Sequence, residues 1–222
     1  LHKRALEIRE KMLPAGHPDI ADSFNNLAFL FEEQGRLGEA ETLYKRALEM
    51  REKVLPSGHP NVAASFNNLA GLYRKQGRLG EAVPLSQRAL EMRERALPIG
   101  HPDIAQGLDN LAVLFQAQGR LMEAEPLYKR ALELRVKALP VGHSDIALSF
   151  NNLAFVFQGQ GRLTEAEPLY ENALKIREKA LPANHPDIAQ SLNNLAFLYQ
   201  AQGRLPEAEP LKDLAGRMTE AD

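Results

Sequence analysis

The sequence predicts an all-α protein, a right-handed α-α superhelix in which helix pairs stack one on another. Two observations predict this class. A segment of 42 residues occurs in five successive copies, and its histidine stands at His17 in the first copy and at His59 in the second. Within each copy, apolar residues recur every three or four positions, as on one side of an α-helix. One helix pair cannot bury its apolar side alone, so the copies must stack.

The copies follow one another without a linker, and we therefore expect a single domain over residues 1–222. Residues 1–13 match a second helix without its first, so we expect the chain to be a piece of a longer array. Five pairs and this extra helix make about 11 helices. The predicted boundaries are 1–15 for the truncated copy, then 16–57, 58–99, 100–141, 142–183 and 184–222.

The first helix of each copy begins after a histidine, which proline follows in four copies and Ser144 in the fourth. Pro18 suits the first helical position, where its missing N–H costs nothing, and Asp19 places a negative charge in the first turn. Gly35 is expected to end the helix in the left-handed conformation. Between them, apolar residues follow with helical spacing at Ile20, Phe24, Leu27, Ala28 and Phe31.

The second helix is expected from about Gly38 to Leu55, and Pro56 ends it. Its apolar residues include Leu43, Tyr44 and Leu48. Small residues indicate where the two helices approach closely, and these are Ala28, Ala40 and Ala47.

Composition excludes several classes of function. The net charge of −2 supplies no basic field for nucleic acid or anionic lipid. No stretch has the roughly 18 apolar residues of a membrane span. The absence of cysteine rules out disulfides and thiolate metal sites, and it is consistent with the cytoplasm, where we expect the protein.

The repeated positions resemble the tetratricopeptide signature in residue type and spacing, at Leu27, Ala28, Phe31, Gly35, Leu37, Ala40, Tyr44, Ala47 and Leu48. The 42-residue length and the HPDIA, FNNLA and ALEMREK segments are similar to kinesin light chain repeats, and the near-identical copies favour the bacterial relatives of that group. The resemblance implies a superhelix whose first helices line a peptide-binding groove.

Helical phase predicts which side of the first helix faces that groove. With Phe24, Leu27 and Phe31 turned inward, positions 22, 25, 26, 29 and 33 lie on the other side. Two neighbouring positions repeat as asparagine in four copies and as Asp109-Asn110 in the third: Asn25, Asn26, Asn67, Asn68, Asn151, Asn152, Asn193 and Asn194. The position three residues further varies, as Phe29, Gly71, Val113, Phe155 and Phe197.

We interpret the asparagines as a ladder that holds a peptide backbone, because each amide offers donors and an acceptor. The resemblance implies the same role, since asparagines of this segment are implicated in holding cargo peptides in kinesin light chains. The alternative is that the asparagines bond between neighbouring first helices and stabilise the stack. Both roles can coexist. The varied positions would then accommodate the side chains of the peptide.

The predicted groove has little net charge. Arg74 and Lys75 contribute positive charge in the second copy, whereas Glu32 and Glu33 stand at the matching positions of the first. Kinesin light chains are known for acidic tryptophan-containing cargo motifs, and chaperone-binding tetratricopeptide domains clamp a terminal carboxylate with basic residues. This groove is polar-neutral and apolar, and so matches neither ligand class.

No residue pattern indicates catalysis, a cofactor or a metal. The histidines recur once per repeat. Successive ones are expected about 10 Å apart in the stack, too far to share an ion at bonds of about 2 Å, and they are interpreted as residues that begin helices. Most carboxylates recur with the repeat, whereas a catalytic site needs unlike groups at one point. The alternating charges around Arg51 are interpreted as a solvated face of the second helix. In a second interpretation, Arg51 and its equivalents in the other copies reach toward the lip of the groove.

The leading hypothesis is a protein that binds a peptide segment of another protein, without binding nucleic acid or membrane. One alternative is a structural solenoid that associates end to end through its exposed N-terminal helix. Another is the sensing or regulatory arm of a larger signalling protein.

Overall fold

A computed structural model describes residues 2–219, and these residues form helices joined by short turns, as predicted. They divide into two compact units, Leu1–Ile99 and Gly100–Asp222, which are described separately. The single array over residues 1–222 stays a prediction.

The first unit contains the unpaired helix and two helix pairs. Its helices are α1 (His2–Met12), α2 (Pro18–Glu33), α3 (Leu37–Val54), α4 (Pro60–Lys75) and α5 (Leu79–Ala96). The second unit contains three helix pairs. Its helices are α6 (Pro102–Ala117), α7 (Leu121–Ala138), α8 (Ser144–Gly159), α9 (Leu163–Ala180), α10 (Pro186–Ala201) and α11 (Leu205–Thr219). The first helices of the pairs are therefore α2, α4, α6, α8 and α10.

The predicted start and stop signals are confirmed. The Nδ1 atom of His17 accepts a hydrogen bond from the backbone N–H of Asp19 at 3.2 Å, which satisfies one donor left free at the start of α2. The other four repeat histidines cap α4, α6, α8 and α10 in the same way. Gly35 has a φ of +73° after α2, and the next backbone N–H bonds back to the carbonyl of Phe31 at 2.8 Å. A side chain at Gly35 would be strained there.

The cores are built on the small residues identified in the sequence. Ala28, Ala40 and Ala47 are fully buried where α2 and α3 meet, and Tyr44 fills the space beside them. The phenol of Tyr44 donates a hydrogen bond to Glu32 at 2.9 Å, so the buried polar tip is satisfied. In the second unit, Tyr128 and Tyr170 occupy the equivalent position and are almost completely buried.

The Gln-Gly-Arg turn links consecutive pairs through its arginine. The guanidinium of Arg162 lies 4.0 Å from the ring centroid of Phe157 and bonds Glu165 through two nitrogens at 2.7 Å each. It also donates to Glu125 of the preceding pair at 2.8 Å. Arg78 and Arg204 make the same stacking contact and the same link to a preceding glutamate. The arginine therefore joins a turn, an aromatic core residue and a neighbouring repeat.

Candidate peptide-binding face

In the first unit, helical phase predicts that one side of α2 carries Asp22, Asn25, Asn26, Phe29 and Glu33. Asn26 is exposed, Asn25 is half-buried and the ring of Phe29 is 56% exposed. The residues expected to point inward, such as Phe24 and Leu27, are buried. The structure thus separates the two sides of α2 as the helical phase predicts.

The asparagines of the first unit bond to each other. The side-chain Nδ2 of Asn68 on α4 donates to Oδ1 of Asn25 on α2 at 2.7 Å. With its amide oxygen assigned to the side of Arg93, Asn67 accepts from both terminal guanidinium nitrogens at 3.0 and 2.9 Å. The alternative role considered from the sequence, a bond between neighbouring first helices, is therefore present in the structure.

The second unit repeats this bond between α8 and α10, where Nδ2 of Asn194 donates to Oδ1 of Asn151 at 2.6 Å. Asn110 on α6 instead accepts from Gln106 of its own helix at 2.9 Å. Asn152 makes no side-chain hydrogen bond within the part of the chain that the structure describes, and Asn193 is exposed. The asparagine amides of the second unit therefore differ in whether they form side-chain hydrogen bonds within the protein.

Apolar side chains stand beside these amides in the second unit. Phe155 is 49% exposed and Phe197 is 64% exposed, whereas Val113 is half-buried. In the first unit the same position is Phe29 on α2 and the half-buried Gly71 on α4. Rings of this size are ordinarily buried, so the exposure of Phe29, Phe155 and Phe197 at one repeat position sets this position apart from the rest of each first helix.

The third copy replaces the repeated asparagine by Asp109, and the structure shows its partner. Arg135 on α7 donates to Oδ2 of Asp109 and to Oγ of Ser149 on α8, and all three side chains are buried. The other carboxylate oxygen, Oδ1, has no hydrogen-bond partner among the described residues. Burial raises the pKa of Asp109 above its usual range, against the opposing effect of the Arg135 guanidinium.

Sequence reasoning missed this buried arginine position. Arg51 was expected on a solvated face, and that expectation is wrong, because its side chain is buried and donates to Ser65 at 2.6 Å and to Asp22. Arg177 is buried in the same way and donates to Ser191 at 2.7 Å. A signal was available, since a serine follows each of these arginines by 14 residues. The arginine and serine link a second helix to the next first helix.

The predicted cations Arg74 and Lys75 have different surroundings. Lys75 lies 2.8 Å from Glu32 Oε1 and 3.3 Å from Glu33 Oε1, so its charge is already balanced on the neighbouring helix. Arg74 is exposed on the last turn of α4. The first unit therefore offers less free positive charge than its sequence implies.

The described residues contain no group of three or more His, Asp or Glu side chains placed to hold a metal ion. Within residues 2–219, no helix has both the length and the apolarity that crossing a membrane requires. On α1, the side chains of Ile8 and Met12 are exposed.

Paired helices, caps at repeated histidines and a variable face on the first helices define a helical repeat protein of the scaffold type. The tetratricopeptide repeat pattern matches residues 57–137 and 145–215, and a second tetratricopeptide repeat pattern matches residues 20–61. The chain belongs to the tetratricopeptide repeat family.

Solved structures show the same type of repeat. Kinesin light chain-like, nearly identical TPR-like repeats from Podosopora anserina are 30% identical, over 91% of this chain and 96% of that one, with a TM-score of 0.80. A variant of that protein is 29% identical over 93% and 99%, with a TM-score of 0.83. BtubC (BKLC) from P. vanneervenii is 26% identical over 99% and 89%, with a TM-score of 0.86. No curated protein matches the sequence.

Proposed function

We propose that this chain is a non-catalytic scaffold that binds a peptide segment of another protein along its first helices. The observation that carries the proposal is the exposure of Phe155 and Phe197 beside the amides of α8 and α10. Half-exposed rings gain when a partner removes them from water, at about 25 cal/mol per Å² of apolar surface. The amides beside them can satisfy the backbone of that partner.

The bond between two asparagines is compatible with peptide binding. An amide group has two donor hydrogens and an acceptor oxygen. When Asn194 donates to Asn151, it uses one hydrogen, and it keeps the second hydrogen and its own oxygen. The same contact restricts the rotamers of both side chains, which lowers the entropy lost on binding. The internal ladder would therefore hold its amides ready for a peptide.

The test is binding of peptides selected from a displayed random library, followed by titration of the selected peptides. We expect Asn152→Ala together with Asn193→Ala to weaken binding by tenfold or more, because neither amide forms a side-chain hydrogen bond among the residues that the structure describes. Asn172→Ala is the matched control, since Asn172 is exposed on the second helix α9. Unchanged affinity in the double variant, or an equal loss in the control, would contradict the proposed face.

Self-association is the second candidate function, and the exposed Ile8 and Met12 of α1 favour it. A second copy that covers them would produce a mass that rises with concentration. Sedimentation between micromolar and submillimolar concentration measures this directly. Ile8→Glu should abolish the heavier species, and a monomer at every concentration would exclude this candidate.

Placement in the cytoplasm stays a prediction from composition.

A further inference from the structure

Arg177 on α9 is a buried cation that pairs with no carboxylate among residues 2–219. Arg177 is 5% exposed, and its Nη1 donates to the carbonyl oxygen of Asp187 at 2.9 Å and to Oγ of Ser191 at 2.7 Å. Both acceptors are neutral groups, and Nη2 has no acceptor within the same residues. Burial lowers the pKa of Arg177 below its ordinary value, and the charge of Asp187 offsets this effect only in part.

The same repeat position has a carboxylate partner in two other copies. Arg51 pairs with Asp22 on α2, which stands 29 residues before it. Arg135 pairs with Asp109 on α6, which stands 26 residues before it. In both copies the first helix therefore supplies the counter-charge of an arginine on the second helix.

The fourth copy has no carboxylate at either position. The residues at these two separations before Arg177 are Leu148 and Asn151, both on α8. Asn151 does not replace the missing carboxylate, because its Oδ1 accepts from Nδ2 of Asn194 at 2.6 Å. Arg177 therefore lacks the acceptor that the first helix supplies to Arg51 and Arg135.

The pair in the first unit indicates that a carboxylate can reach this arginine position from the surface. The side chain of Asp22 is 47% exposed, whereas that of Arg51 is 8% exposed. Leu148, at the position of Asp22, is 42% exposed and lies on the same side of α8 as Phe155, about two turns further along the helix. A peptide that covers Phe155 can therefore place a carboxylate beside Leu148, within reach of the guanidinium.

A carboxylate is the group of a ligand that this position favours most. Taking a guanidinium out of water is costly unless an anion replaces the lost hydration. Hydrogen bonds between a guanidinium and a carboxylate are also stronger than those between neutral groups. The neighbouring positions of the face on α8, Asn152, Phe155 and Gly159, carry no charge. They favour a single carboxylate among uncharged residues over a run of acidic residues.

We propose that Arg177 binds one carboxylate of the peptide held by the second unit, at the place that Asp22 takes beside Arg51 in the first unit. The carboxylate accepts from Nη2, the terminal nitrogen that Asp187 and Ser191 leave free. It belongs to an acidic side chain or to the C-terminus of the peptide. This inference rests on the proposed function and specifies one chemical group of its ligand.

The probes are short peptides selected against the full chain from a random library displayed with free C-termini. Each selected peptide is then made in two changed forms, one with its acidic side chains replaced by the corresponding amides and one with an amidated C-terminus. We expect one of these changes to weaken binding by about tenfold or more, because it leaves the guanidinium unpaired in the complex. The effective change identifies the source of the carboxylate. Affinity that withstands both changes together overturns the inference.

Leu148→Asp supplies the carboxylate from within the protein and closes the site to a ligand. Because position 148 is exposed and the first copy has Asp22 there, we expect the variant to fold, which circular dichroism checks. It should weaken the selected peptides by about tenfold or more and leave their amide forms nearly unaffected. Gln106→Asp is the matched control, since it adds the same charge on α6, where Arg135 is already paired. An equal loss in both variants overturns the inference.

Arg177→Met removes the guanidinium itself and is the second variant. We expect it to bind the carboxylate peptide and its amide form equally, whereas a preference for the carboxylate that persists in this variant overturns the inference. If the selected peptides depend on Asn152 and Asn193 but on no carboxylate, the proposed function stands and this inference fails. If no peptide is selected, both fail.

Discussion

Nδ2 of Asn68 on α4 lies 2.7 Å from Oδ1 of Asn25 on α2, so two first helices are joined by their amides. Asn68→Ala removes this bond, and we expect a loss of about 1 kcal/mol in the free energy of unfolding. Asn152 occupies the same repeat position and forms no side-chain hydrogen bond within residues 2–219, so Asn152→Ala should change stability by less than about 0.5 kcal/mol. Chemical denaturation of both variants measures the difference, and equal effects would contradict a stabilising ladder in the first unit.

Arg135 and Asp109 form a buried ion pair, and a double-mutant cycle tests it. Arg135→Met leaves the Asp109 carboxylate buried without its counter-charge, and we expect a cost of about 3–5 kcal/mol. Asp109→Asn should cost no more than about 1 kcal/mol. One copy later, Arg177 takes the place of Arg135 and is also buried, although Asn151 stands there in place of Asp109. Adding Asp109→Asn to Arg135→Met should recover part of the loss. Simple additivity of the two effects in denaturation experiments would exclude coupling between the residues.

Glu125 makes the stability of the second unit depend on pH in the acidic range. Burial acts to raise the pKa of Glu125, but hydrogen bonds from Lys129, Gln160 and Arg162 together outweigh it and lower this pKa to about 2, from an ordinary value of 4.5. An acid whose pKa is lower in the folded state stabilises the fold above its unfolded pKa, and this contribution is lost as the pH falls from about 4.5 to 2.

Glu125→Gln should therefore lower stability at pH 7 and flatten the fall in stability between pH 4.5 and 2. Unfolding free energies measured by denaturant titration across this range check the prediction. Glu209→Gln changes the same repeat position in the last copy, where the residue is exposed on α11, and serves as control. A steeper acid dependence in Glu125→Gln than in the unchanged protein would contradict the assigned sign.

Phe197 is 64% exposed and should contribute little to folding. Phe197→Ser is expected to change the free energy of unfolding by less than about 1 kcal/mol, while Leu195→Ser, a buried position two residues away, should cost well over 2 kcal/mol. Thermal unfolding followed by circular dichroism distinguishes the two. A large destabilisation by Phe197→Ser would mean that the ring stabilises the fold and is not available to a ligand.

Much of the local structure could be predicted because its causes lie within one copy. His17, Pro18 and Gly35 mark the helix ends through backbone geometry, which depends on neighbouring residues alone. The burial of Ala28 and Tyr44 follows from helical periodicity in the same way. Of the candidate site, the sequence predicted the side of the helix that carries Phe29, Phe155 and Phe197, and the structure leaves these three rings exposed.

The sequence by itself determined the repeat, the helix pairs and the variable face, because each follows from the order of residues along a helix. Only the tertiary structure decided the partners. Periodicity within one helix does not reveal that the next copy covers Arg51 with Ser65, or that Asn68 reaches Asn25. The same holds for Lys75, whose charge is balanced by Glu32 of the preceding copy. These contacts depend on the distance and rotation between neighbouring helices, which packing of the whole unit sets.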